Sequence, residues 1–201
     1  MYDSKQKLKI MVAGYGFGKK VHFEALKESK TLSVTSFYHP DPNKKVLIES
    51  ETKLNCYSNW DDVVSRNDID GIILAMPPEL RFKLAKEALN NHKHVLLEKP
   101  VAMSSNEIKE LQRLALINKL SACVDFEYRA VPLFLQAKEM IDKNLMGKIY
   151  LIKLDWLMGS RSDPRREWNW YSLSDKGGGV MGALGTHAFD IIHWFFGETQ
   201  R

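Results

Sequence analysis

Leu8-Lys9-Ile10-Met11-Val12-Ala13-Gly14-Tyr15-Gly16-Phe17-Gly18 is the stretch that decides the fold. A short apolar run, Leu8–Ala13, reads as a buried strand and leads straight into three glycines spaced by single residues. The spacing predicts a helix beginning near Lys20. Glycine at position 14 permits a tight turn, and glycine at 16 lets backbone approach a pyrophosphate held at the helix N-terminus. The third position of the dinucleotide fingerprint falls on Lys19, with Gly18 one residue early. The strand–turn–helix context carries the reading, since a glycine pair alone is a weak signal.

Outward from this block, short apolar runs and helical patterns alternate. Leu32–Tyr38, Leu54–Tyr57, Gly71–Met76, His94–Leu97 and Ser121–Phe126 complete about six strand candidates. Gly71–Met76 is continuously apolar, as a strand covered on both faces must be. Leu80, Leu84 and Ala88, widened by Ala85 and Leu89, form one helical stripe; Ile108, Leu111, Leu114, Ala115 and Ile117 form another. Ser104 with Glu107 is a capping box, and Ser58 with Asp61 a weaker start for a short helix through Val64. Alternation of this kind predicts a doubly wound parallel α/β sheet, a Rossmann domain over residues 1–126, with ligands beyond the strands' carboxyl ends. Residues 127–201 change texture. A helix is expected from Val131 to Lys143, a long strand over Gly147–Met158, then an arginine- and tryptophan-rich loop, Gly177-Gly178-Gly179, and an apolar helix to Phe196 capped by Gly197. One long strand without partners is not a finished sheet. This second part is expected to be an incomplete α/β domain with an open antiparallel or mixed sheet.

Composition narrows the classes. The 201 residues are 44% hydrophobic and 27% charged with a net charge of +4, ordinary values for a soluble domain. No apolar run reaches a membrane span, and Met1–Lys9 is polar rather than a signal core, so a cytoplasmic protein with no membrane partner is expected. Basic residues are spread along the chain, which gives nucleic-acid binding no support. Cys56 and Cys123 are isolated, and no His/Cys/Asp/Glu spacing along the chain matches a metal ligand set.

Several motifs sit at predicted strand ends. Phe37-Tyr38-His39-Pro40 closes the second strand, so His39 stands where a dinucleotide fold places the carboxylate that grips the ribose, with Asp41, Lys44 and Lys45 beyond. The cofactor expected is NAD or NADP, the balance tilting to NADP because a site without that carboxylate does not repel a 2′-phosphate. Met76-Pro77-Pro78 ends the fourth strand, where proline also serves as a plain terminator. Glu98-Lys99-Pro100 ends the fifth. A lysine there can exchange a proton with a substrate hydroxyl, whereas a bare surface ion pair is the bland alternative. His22, on the first helix, reads as structural.

The order of Gly14–Gly18, Met76-Pro77-Pro78, Lys93-His94-Val95-Leu96-Leu97-Glu98-Lys99-Pro100 and Gly177-Gly178-Gly179 to Leu184-Gly185-Thr186-His187 resembles the glucose-fructose oxidoreductase / inositol dehydrogenase family. The resemblance covers essentially the whole chain. It implies hydride transfer between a nicotinamide and a sugar, polyol or related alcohol, and a homo-oligomer, dimer or tetramer, at full length. It implies cofactor contacts at Gly14, Tyr15, Gly16, Phe17, Gly18, His39, Met76, Pro77, Glu98 and Lys99. Lys99 resembles the family lysine that meets nicotinamide and substrate, and His187 falls where the family has its catalytic histidine. The substrate-site candidates are Arg129 after the sixth strand, Asp190 on the helix of His187, and Arg165 and Trp168 in a basic aromatic loop that also holds Arg161, Arg166 and Trp170. One departure matters. Many members carry an aspartate four residues before the histidine, where this chain has Ala183. Asp190 is the nearby carboxylate that could orient His187. Ala183 keeps open the alternative of a non-catalytic, cofactor-binding regulator or sensor.

Overall fold

The computed structural model describes residues 7–159, 163–165 and 169–200. The chain divides into two compact units, Met1–Asp125 and Phe126–Arg201.

In the first unit six parallel strands form one sheet: β1 (Leu8–Ala13), β2 (Leu32–Tyr38), β3 (Cys56–Tyr57), β4 (Gly71–Leu74), β5 (His94–Leu97) and β6 (Ala122–Val124). Their order is β3-β2-β1-β4-β5-β6, and every pairing is parallel. The chain winds outward one way from β1 and then returns to lie on its other side at β4. That reversal makes a crevice between β1 and β4 at the strands' carboxyl ends. Alternating side chains on β1 show why both faces need helices. Met11 and Ala13 join a core with Ile72, Leu74, Leu84 and Leu111, whereas Ile10 and Val12 join a second with Phe37, Ile48 and Ile73. All four residues of β4 are buried, as a strand covered twice requires.

The helices are α1 (Tyr15–Phe23 with π-type winding, then Glu24–Leu26 as α-helix), α2 (Pro42–Thr52), α3 (Trp60–Val64), α4 (Pro78–Asn90) and α5 (Ser105–Ile117). The capping box forms as read: Ser104 accepts from the Glu107 N–H, and the Glu107 carboxylate reaches back to the Ser104 N–H. Two expectations are corrected. α1 begins at Tyr15, directly after Gly14, rather than near Lys20. α3 is capped by Asn59, whose side chain accepts from the Asp61 N–H, and not by Ser58. On the α4 stripe Leu84, Ala85, Ala88 and Leu89 are buried as expected, but Leu80 is exposed and Arg81 is buried in its place.

The second unit contains a 3-10 turn at Glu127–Ala130, α6 (Pro132–Asp142), two further 3-10 turns at Trp170–Ser172 and Ser174–Lys176, and α7 (Thr186–Phe196), preceded by a π-type turn at Met181–Gly185. Gly197, with φ of 85°, closes α7 as anticipated. The strand expected over Gly147–Met158 is not formed. A strand needs a neighbour for its N–H and C=O groups, and among the described residues none pairs with this segment.

Candidate functional site

The glycine turn sits at the carboxyl end of β1, beside the sheet's reversal. Gly14 has φ of 117°, and a Cβ there would lie 2.7 Å from the Ala75 carbonyl oxygen, so both conformation and space demand glycine. Gly16 differs: nothing lies within 4 Å of where its Cβ would be, so the open space expected for a pyrophosphate lies at this residue. Gly18 packs α1 against the sheet, where a Cβ would come within 3.0 Å of Val12 and 3.2 Å of Ala75. The close-approach task of the third fingerprint glycine thus belongs to Gly18, and Lys19 instead pairs with Glu51. Tyr15 donates its hydroxyl to Glu51 at 3.1 Å, and the amines of Lys19, Lys20 and Lys44 surround its ring at 6.0, 5.8 and 4.9 Å. Phe17 is exposed at the turn and stands edge-on to His22.

At the end of β2 the His39 Nδ1 accepts from the Asp41 N–H at 3.1 Å. Burial holds this imidazole below its usual pKa, and Lys44 pushes the same way. The Asp41 carboxylate is taken up by the N-terminus of α2, accepting from the Asn43 N–H at 2.8 Å. Between the ends of β2, β3 and β4 lies a cleft of about 390 Å³ lined by Tyr38, Pro40, Asn59, Trp60, Met76 and Leu80. The exposed Leu80 is a wall of this cleft, a role that its place on the helical stripe does not announce.

Glu98, Lys99 and Pro100 follow β5. The loops carrying Met76-Pro77 and Glu98-Pro100 are tied together by one side chain. Arg81, 2% exposed, donates to the carbonyls of Met76, Glu98 and Pro100. A signal for it existed: an arginine at a position that shares its helix face with Ala85 and Ala88. Glu98 is buried, and its Oε1 lies 2.8 Å from His22 Nε2. Asp125, just past β6, brings a carboxylate oxygen 3.7 Å from the same nitrogen. His22, Glu98 and Asp125 are the group of potential metal ligands among the described residues. Spacing along the chain hid it because His22 and Glu98 are 76 positions apart. Lys93, of the same motif, points elsewhere: it is buried and donates to the Ile69 carbonyl at 2.9 Å.

In the second unit His187 is buried at the start of α7, within a cage of Tyr128, Trp156 and Phe126, whose ring centroids lie 4.9, 5.9 and 6.1 Å away. The carboxylate beside it is Glu127, 3.5 Å from Nε2. Asp190 does not fill that role. It forms a two-pronged pair with Arg129, at 2.9 and 2.6 Å, so these two substrate-site candidates engage one another. Ala183, one turn before His187, is buried. Arg165 is exposed and bound to Asp163. Arg161, Arg166 and Trp168 lie outside the described residues. Both π-type turns fall at candidate sites, one at the glycines and one before His187, in keeping with where such windings concentrate.

Comparison with known proteins bears on this arrangement. Residues 8–126 match the model of an oxidoreductase family with an NAD-binding Rossmann fold, and residues 134–201 match that family's GFO/IDH/MocA C-terminal domain. The chain belongs to the Gfo/Idh/MocA oxidoreductase family. An uncharacterized oxidoreductase from Synechocystis is 39% identical over 194 residues, covering 96% of this chain and 52% of its own length. The levoglucosan dehydrogenase of Pseudarthrobacter phenanthrenivorans is 27% identical over 208 residues, covering 96% of this chain and 52% of its own length. Among solved structures, scyllo-inositol dehydrogenase from Lactobacillus casei, with NAD(H) and scyllo-inositol bound, superposes with a TM-score of 0.81 at 24% identity, over 96% of this chain and 57% of its own. An oxidoreductase domain protein from Kribbella flavida gives a TM-score of 0.88 at 22% identity, over 96% and 54%. These likenesses in structure speak for the fold. This Gfo/Idh/MocA chain spans about half the length of the curated relatives it matches. No helix is long and apolar enough to cross a membrane among the described residues.

Proposed function

We propose that this chain is the nucleotide-binding part, with a portion of the substrate part, of an NAD(P)-dependent dehydrogenase acting on a secondary alcohol of a sugar or polyol. The observation that carries the proposal is the glycine turn at the sheet's reversal, after β1, with Lys99 at the end of β5 on the far side of β4. The residues fit a dinucleotide there. Gly16 leaves open space at the N-terminus of a helix, where a pyrophosphate charge is favoured, and the 390 Å³ cleft beyond β2 and β4 has the apolar walls an adenine ring needs. When bound, the nicotinamide supplies the hydride acceptor.

Lys99 or His187 takes the proton of the substrate hydroxyl as its carbinol hydrogen leaves. Arg81 fixes the backbone on both sides of Lys99 by holding the Glu98 and Pro100 carbonyls. The aromatic cage fixes the plane of His187, and Glu127 supplies the carboxylate that steadies its charged form. Asp190 orders Arg129 for a polar substrate contact. NADP is favoured over NAD on three grounds. His39 occupies the ribose-gripping position, the Asp41 carboxylate is spent on α2, and the Lys44 charge acts on His39. The runner-up is a cofactor-binding regulator, for which Ala183 speaks and Glu127 speaks against.

The test is a panel of sugars and polyols offered with NAD⁺ or NADP⁺ to a full-length version, followed by nicotinamide absorbance. Turnover with at least one alcohol is expected. Lys99→Met should slow turnover by roughly 10²-fold or more, well beyond any weakening of cofactor binding. Tight cofactor binding with no turnover on any alcohol would establish the regulator instead.

A further inference from the structure

The ring of Tyr15, the residue between Gly14 and Gly16, is the centre of a charged cluster. The amines of Lys19 and Lys20 from α1 and of Lys44 from α2 lie 6.0, 5.8 and 4.9 Å from its centroid. Glu51, near the end of α2, sets a carboxylate among these cations. It pairs with Lys19 and accepts the Tyr15 hydroxyl at 3.1 Å. The hydrogen bond from Lys19 first, then that from Tyr15 and the charge of Lys20, hold the Glu51 carboxyl below its usual range. Two further carboxylates face this region, and both are engaged: Glu24 with Lys27, and Asp41 with the Asn43 N–H. The cluster also reaches the end of β2, where the Lys44 charge acts on His39.

We propose that Glu51 is a specificity-determining residue for the cofactor: in the free chain its carboxylate holds the amines that the ribose 2′-phosphate of NADPH takes over on binding. The proposal rests on the reading of the glycine turn as a dinucleotide site with its ribose at the end of β2. Lysine binds phosphate as a point charge on a flexible stem, so one amine can leave a carboxylate and follow a phosphate. The Tyr15 ring offers the amines a π-face in either state. A phosphate monoester carries more negative charge at neutral pH than a carboxylate, and it wins the shared cations. Glu51 stays close by and repels it. NADH brings no phosphate to this cluster, so Glu51 leaves NADH binding nearly untouched. The carboxylate thus holds the preference for NADPH below what the three lysines alone would give.

The chain is titrated with NADH and NADPH, followed by nicotinamide fluorescence, in wild type, Glu51→Gln and Lys20→Met, with a thermal melt of each. The Glu51 side chain is 36% exposed, and its variant should melt like wild type. Glu51→Gln keeps the shape and removes the charge. Its dissociation constant for NADPH should fall about fivefold, the size of one charge pair about 4 Å apart in water, while that for NADH moves less than about twofold. Lys20→Met should act in the opposite sense and lower the preference for NADPH at least about threefold. A Glu51 that serves only to pack α1 on α2 would move both nucleotides together. 2′-AMP and 5′-AMP, used as competitors, locate the phosphate: Glu51→Gln should strengthen 2′-AMP alone. An NADPH-to-NADH preference in Glu51→Gln within about twofold of wild type, or an equal gain for 5′-AMP, would overturn the inference and leave the dehydrogenase reading standing on NADH binding. Binding of neither dinucleotide to the folded chain would overturn that reading, and this inference with it.

Discussion

Replacing Arg81 tests how the two loops at the ends of β4 and β5 are held. Its guanidinium donates to three carbonyls, those of Met76, Glu98 and Pro100, in a position 2% exposed. Arg81→Met keeps most of the apolar stem and removes every donor. Each carbonyl left without a partner costs about 1–3 kcal/mol, and the burial cost of the guanidinium charge is recovered. The net loss is about 3–5 kcal/mol, a large share of the 5–15 kcal/mol that stabilises a typical domain. For a chain of this size each kcal/mol moves the midpoint by about 2–4 °C, so the melt followed by circular dichroism should fall by roughly 10 °C. Arg81→Lys retains one donating charge and should fall by less. The loss also frees the backbone on both sides of Lys99, so NADPH binding should weaken at temperatures where the variant is still folded. An Arg81→Met melt within about 2 °C of wild type would refute the reasoning.

Further predictions follow the same geometry. Cys56 is buried with its thiol pushed up to about 11, whereas Cys123 is exposed, so Ellman's reagent at neutral pH should find one thiol in the native chain and two in denaturant. Gly14→Ala places a methyl against the Ala75 carbonyl in a left-handed backbone; it should cost about 2–3 kcal/mol in urea unfolding. If the 2′-phosphate sits by His39 as proposed, Lys44→Met should weaken NADPH at least about fivefold more than NADH in parallel titrations. The His39 imidazole is held below its ordinary value of 6.5 by burial. The unfolded chain then binds its proton first, and stability falls as pH drops below about 6.5. His39→Gln should flatten that part of the pH–stability curve in thermal melts.

Much of the fold was legible because it depends on local pattern. The continuously apolar Gly71–Leu74 run, the Leu84–Leu89 stripe and the Ser104–Glu107 box each state their element within a few residues. The misread positions depend on contacts the sequence does not announce. α1 starts among glycines, poor helix formers, and its winding from Tyr15 sets Gly18 close against Val12 of β1 and Ala75. Asn59 outcompetes Ser58 as a cap by one residue, within the ordinary uncertainty of helix ends. Gly147–Met158 alternates as a strand should, yet strand formation needs a partner and pattern alone does not supply one. The candidate residues divide the same way. Motifs point to Gly14, Lys99 and His187 as candidates, whereas Arg81, Asp125 and Glu127 stand out only by what the fold sets beside them within each unit.

The central claim is that the glycine turn holds a nicotinamide dinucleotide. It is tested most directly by titrating the chain with NADH and NADPH, followed by nicotinamide fluorescence, in wild type and Gly16→Asp. Nothing lies within 4 Å of the new Cβ, so the variant should fold and melt like wild type while setting a carboxylate where the pyrophosphate charge must lie. The account predicts saturable binding in wild type, tighter for NADPH, and a loss of about 100-fold or more in Gly16→Asp. Folded wild-type protein that binds neither nucleotide, or a Gly16→Asp chain that binds them as well as wild type, would contradict it.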